Sequence, residues 1–120
     1  MVRSIIIVLP LATAMLASPA LAHCFPDKMT PAQASASPTP PLQVEIHFDN
    51  PFNPTGTSVR VLNQKGDVIS GADASSADDQ TMTTQLQPLA PGQYFVKWRA
   101  TSQDGDHTMG AYSFTVTGAR

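Results

Sequence analysis

Leu42-Gln43-Val44-Glu45-Ile46-His47-Phe48-Asp49 alternates apolar and polar side chains without a slip. Successive side chains of a strand point to opposite faces, so this stretch is a half-buried strand with Val44, Ile46 and Phe48 on its core side. The same period of two returns along the chain. Val59 and Val61 flank Arg60; Tyr94, Val96 and Trp98 alternate with Phe95, Lys97 and Arg99; Tyr112, Phe114 and Val116 alternate with Ser113 and Thr115. Thr81 to Leu86 is a polar-rich strand candidate. No stretch shows the 3.6-residue period of a helix.

The punctuation agrees with short strands. Lys65-Gly66-Asp67 is a turn signal and Val68-Ile69 restarts a strand, so a hairpin is expected there. Pro91-Gly92 marks another turn. Residues 71–80 are small, polar and acidic and read as a mobile loop; residues 31–41, rich in Ala, Ser and Pro, read as an extended connection. Six or seven short strands predict an all-β domain, an antiparallel Greek-key β-sandwich or small barrel. Phe48, Tyr94, Trp98, Tyr112 and Phe114 are its expected core aromatics.

Composition narrows the rest. The chain has 120 residues, 42% hydrophobic and 13% charged, with eleven prolines and seven glycines. One domain is expected at this length. Dense proline and a single glutamate, Glu45, exclude a coiled coil. A formal net charge of −2 offers no basic stripe for nucleic acid. A single cysteine excludes an internal disulfide framework. Neither a Gly-rich phosphate loop nor a G-x-S-x-G elbow occurs.

Residues 1–22 read as a cleaved secretory signal peptide. Arg3 supplies the positive start, residues 5–16 an apolar run broken by Pro10, and Ala20-Leu21-Ala22 the small-x-small cleavage site. The apolar run falls short of the ~20 residues that span a bilayer, and no second one follows, so no stable membrane insertion is expected after cleavage. Residues 23–120 then form the exported domain. Its net charge is −3, from Lys28, Arg60, Lys65, Lys97, Arg99 and Arg120 against nine acids. A lipoprotein reading through Cys24 is the weaker alternative, because His23 stands where a small residue is needed.

Cleavage after Ala22 has a chemical consequence. His23 becomes the first residue, and its free α-amine and imidazole can chelate one metal ion together. His107 lies in Ser102-Gln103-Asp104-Gly105-Asp106-His107, an acid-flanked segment able to form a metal corner. His47, on the polar face of its strand beside Glu45, reads as simply exposed. Alone, a terminal histidine and a loop histidine say little; they gain meaning if the fold brings them together. Cys24 is open between an interchain disulfide, a soft metal ligand and a buried small residue.

The stretch Leu86-Gln-Pro-Leu-Ala-Pro-Gly-Gln-Tyr-Phe-Val-Lys-Trp-Arg-Ala-Thr-Ser-Gln-Asp104 resembles the CopC family of periplasmic copper-resistance proteins. Gly110-Ala-Tyr-Ser-Phe-Thr-Val116 is similar to that family's closing strand, Val44-Glu-Ile-His-Phe48 to its first long strand, and the spacing of His23 to Pro31-Ala32 to its mature start. The resemblance covers residues 23 to 117. It implies a β-sandwich of cupredoxin-like or immunoglobulin-like form, a periplasmic location and a Cu(II) site built from an N-terminal histidine, an aspartate and a second histidine. His23 and Asp104 match the first two. The family's second histidine stands two residues after the aspartate, where this chain has Asp106, with His107 one further on.

A one-residue shift turns a strand side chain to the other face, although a loop bulge can re-aim it. The favoured expectation is a metal site of His23, Asp104 and His107, with Asp106 as the neighbouring carboxylate. The other outcome leaves His23 with carboxylates only. Met29, Met82 and Met109 are isolated, so no thioether-rich Cu(I) site is assigned. The resemblance implies a non-enzymatic protein that sequesters, buffers or hands on Cu(II). The copper ion is its expected partner, together with a membrane copper transporter or another periplasmic copper protein. Two other classes stand against this: a metal-free immunoglobulin-like interaction module, and a small oxidative copper enzyme with a histidine brace.

Overall fold

The computed structural model describes residues 4–7, 10 and 23–119. The signal-peptide reading of residues 1–22 lies largely outside them. No helix among the described residues is long and apolar enough to cross a membrane.

Eight strands follow in order: β1 (Pro26–Thr30), β2 (Ala36–Ser37), β3 (Gln43–Phe48), β4 (Ser58–Leu62), β5 (Ser70–Ser75), β6 (Thr81–Leu86), β7 (Gly92–Thr101) and β8 (His107–Val116). They form two four-stranded sheets, β1-β3-β6-β5 and β2-β8-β7-β4. All pairings are antiparallel except β2 with β8. The fold is therefore the all-β sandwich expected.

Alternation in the sequence becomes burial in the structure. Val44, Ile46 and Phe48 of β3 are fully buried, as are Val59 and Val61 of β4 and Val96 of β7. The two inner faces meet through aromatic side chains: the Phe48 and Trp98 rings lie 5.7 Å apart, edge to face, across the sheets. Tyr94 stacks on Phe114 within the second sheet at 5.5 Å. Phe52, in the β3–β4 connection, was not singled out by periodicity, yet it is fully buried and packs edge-on against Phe48 at 5.5 Å.

Two expectations need correction. Residues 71–80 are not a loop throughout, because Ser70–Ser75 is the edge strand β5, paired with β6 through a bulge between Ser70 and Asp73. Almost all of its side chains are exposed, so hydrophobic alternation could not announce it. Backbone pairing and side-chain bonds hold it instead: Asp73 Oδ2 accepts the Val59 N–H at 2.9 Å, and Ser70 Oγ accepts that of Val61 at 3.0 Å. The expected hairpin around Lys65-Gly66-Asp67 is only a single bridge, Leu62 to Val68. Beyond it the chain crosses to the other sheet, and β4 takes β7 as its ladder partner.

Candidate metal centre

The segment carrying His23 is fastened before β1 begins. The Asn50 side-chain amide donates to the His23 carbonyl at 2.9 Å. The Thr108 hydroxyl donates to the Cys24 carbonyl. The Phe25 N–H donates to Asp49 Oδ1 at 2.9 Å, and the Asp49 N–H returns to the Phe25 carbonyl at 2.9 Å. Asp27, at the bulge of β1, meets His47 Nδ1 at 2.5 Å. Asp49 and Asn50 directly follow β3, so a core strand positions the segment that carries His23. Nothing in their hydropathy marks them; only the pairing of β1 with β3 makes them its anchors.

Cys24 lies beneath, fully buried, with Sγ 3.5 Å from the Asn50 carbonyl and 3.4 Å from that of Pro51. Burial pushes its thiol pKa up, and the carboxylates of Asp49 and Asp104 add to the rise. A protonated thiol with no exposure is a poor reactant, so of the three readings of Cys24 the geometry favours the buried small residue.

The opposing wall is the β7–β8 turn. Ser102 N–H donates to the Asp106 carbonyl at 2.8 Å, and Gly105 N–H to the Ser102 carbonyl at 3.0 Å. Gly105 takes the left-handed conformation this turn requires, with φ of +93°. Ser102 Oγ donates to Asp104 Oδ1 and accepts the Asp106 N–H at 3.0 Å. One buried hydroxyl thus orients both acids.

Asp106 Oδ2 lies 3.8 Å from His23 Nδ1. That oxygen is buried and has no hydrogen-bond partner among the described residues. A carboxylate oxygen so placed lacks the bonds that ordinarily compensate its desolvation.

His107 stands elsewhere. It opens β8 and pairs with Thr101 at the end of the ladder. Odd-numbered residues of β8 face outward, as the exposure of His107, Met109 and Ala111 shows. The Thr101 hydroxyl gives its proton to the Gly56 carbonyl at 3.0 Å, so at 3.0 Å from His107 Nδ1 it acts as acceptor. Nδ1 then carries the hydrogen, and the lone pair of the neutral ring is on Nε2. The structure brings His23 to Asp106, keeps Asp104 in the same turn, and sets His107 on the outer face. Among the described residues, no three His, Cys, Asp or Glu side chains already converge as a metal cage.

The comparisons agree with this architecture. The chain is similar to CopC from Methylosinus trichosporium OB3b, with a TM-score of 0.76 and 27% identity over 82% of this chain and 97% of that one. It is similar to PcoC, a methionine-rich copper resistance protein from Escherichia coli, with a TM-score of 0.71 and 26% identity over 80% of this chain and all of that one. Copper transport protein CutJ of Bacillus subtilis (strain 168) is 29% identical over 113 residues, which are 92% of this chain but only 21% of that protein. The CopC domain model matches residues 27–117, and on that match, with the two-sheet sandwich in place, the chain belongs to the CopC family.

Proposed function

We propose that this protein binds Cu(II) after export to the periplasm and removal of residues 1–22, and passes it to a membrane copper transporter or another periplasmic copper protein. Copper is cargo here, and the family's members carry copper rather than catalyse turnover. His23 supplies two nitrogen donors, its α-amine and its imidazole, and Asp104 and Asp106 supply oxygen. Cu(II) leads the first-row divalent ions at such a nitrogen and carboxylate set. The observation that carries the reading is the unpartnered, buried Asp106 Oδ2 facing His23 Nδ1. A metal ion in that gap would bond both groups and satisfy the Asp106 oxygen that has no hydrogen bond. Because two of the donors belong to one residue, the site does not need three converging side chains.

His107 as third ligand is the second reading. What favours it is the Nε2 lone pair that the Thr101 contact leaves available. It requires the turn at residues 102–106 to bring His107 round from the outer face.

The test is a Cu(II) titration followed by electron paramagnetic resonance on the chain beginning at His23, beside the same chain with one residue added before it. Tight one-to-one binding that the extra residue weakens supports the terminal amine as a ligand. Asp106→Asn and His107→Ala then separate the two sites, since only the true third ligand changes the hyperfine pattern. Equal, weak binding by both chains overturns the copper reading.

A further inference from the structure

A second feature lies outside the copper site. On the second sheet, β4 turns its even-numbered residues, and β7 and β8 their odd-numbered ones, away from the core. The ladder sets Arg60 opposite Lys97, Ser58 opposite Arg99, and Arg99 opposite Met109. Three of the chain's seven lysines and arginines therefore stand together on one face. They line a groove of about 520 Å³ whose walls include Met109 and no carboxylate.

This arrangement opposes the electrostatics of the rest of the molecule. Like charges directly opposite on a ladder are destabilising. Among the described residues, the ion pairs His23–Asp106 and His47–Asp27 involve none of these three cations, and no carboxylate lines the groove beside them. The whole chain carries −2, and the face inverts that sign locally. Beside the cations, Met109 is 71% exposed and Phe95 37%. Arginine, methionine and aromatic side chains are enriched at protein contacts, and Arg60, Arg99, Met109 and Phe95 supply them on this face.

We propose that this face docks an acidic segment of another protein, laid along the groove with its carboxylates on Arg60, Lys97 and Arg99 and an apolar side chain against Met109. Charge complementarity selects the partner's chemistry, and the arginine forks suit carboxylates in particular. The partner does not add as a strand on β4, because the outward N–H groups of Val59 and Val61 are already bonded to Asp73 and Ser70. An anionic membrane fits less well: surface recognition of lipid uses clusters of about four to eight cations, and here three line a recess. The proposal does not rest on the copper reading, because it uses none of the copper ligands.

The test is titration of the 15N-labelled protein with an octaglutamate peptide at low ionic strength, followed by NMR. A protein of net negative charge repels this probe, so any affinity reports the local field. Shift changes at residues 58–60, 97–99 and 109–111, lost on adding salt, are the expected result. The variant Arg60→Gln/Lys97→Gln/Arg99→Gln should bind roughly tenfold more weakly, as three exposed charge contacts together allow. Lys28→Gln/Lys65→Gln should bind as the wild type does. If the triple variant does not fold, Arg99→Gln alone serves. Absent binding, shifts centred on Lys28 or Lys65, or undiminished binding by the variant overturns the proposal. Sedimentation with phosphatidylcholine–phosphatidylglycerol vesicles without peptide binding overturns it in favour of a membrane surface.

Discussion

Gly110→Ala tests how the sandwich is closed around its only tryptophan. Gly110 pairs with Trp98 across the β7–β8 ladder. A methyl group on Gly110 would stand 2.7 Å from Trp98 Cζ2, 2.8 Å from Cε2 and 2.9 Å from Nε1. Carbon contacts are optimal near ~3.5–4.0 Å, so three ring atoms overlap it at once. The indole cannot simply swing away, because it is 8% exposed and held edge-on against Phe48. Overpacking of this kind costs about 1–3 kcal/mol. Restricting the unfolded chain returns about 0.4–1 kcal/mol. A net loss of about 1–2 kcal/mol follows, which lowers the Tm of a domain this size by roughly 5–15 °C. Thermal unfolding by circular dichroism measures it, with Trp98 fluorescence reporting the ring's displacement. Gly71→Ala is the internal control: its added methyl meets nothing closer than 3.6 Å, so its Tm should hold or rise slightly. An unchanged or higher Tm for Gly110→Ala, with unshifted tryptophan emission, refutes the packing described.

Three further outcomes are expected. The Tyr112 hydroxyl is buried with no hydrogen-bond partner among the described residues, so Tyr112→Phe should raise stability by up to about 1 kcal/mol in chemical denaturation. Burial pushes the Tyr112 pKa up from its ordinary value of 10.0, so the unfolded chain ionises first and stability falls as pH rises above ~10. Tyr112→Phe should flatten that part of the pH profile. Asn50→Ala removes the bond to the His23 carbonyl, and Cu(II) affinity of the chain beginning at His23 should fall roughly three- to tenfold, at about 1 kcal/mol per hydrogen bond, with Tm shifted far less. Asp73→Ala uncaps the Val59 N–H at the edge of β4, and should cost about 1 kcal/mol and speed hydrogen exchange at Val59 and its neighbours.

Much of this fold was legible because period-two burial is a local signal. Val44, Ile46 and Phe48, or Tyr94, Val96 and Trp98, declare strand and inward face together. Strand β5 was not legible, because its side chains are largely solvated and its ties are the backbone ladder and the polar side chains of Ser70 and Asp73. Phe52 escaped for the related reason that it is buried from a loop, outside any period.

The copper-site reading divides along the same line. The sequence by itself determined the all-β class, the inward residues of the long strands, the CopC resemblance, and His23, Asp104, Asp106 and His107 as the residues worth weighing. Which acid or histidine meets His23 was beyond it. That depends on where the turn at residues 102–106 ends and β8 begins, because the ladder sends neighbouring residues to opposite faces. Pairing of His107 with Thr101 sets the phase, so His107 faces outward and Asp106 Oδ2 comes within 3.8 Å of His23. Likewise, Arg60 lies far in sequence from Lys97 and Arg99 and joins them in one basic groove only when β4 aligns with β7. Periodicity is written residue by residue, but register between strands is a property of the closed sandwich, and only the tertiary structure decides it.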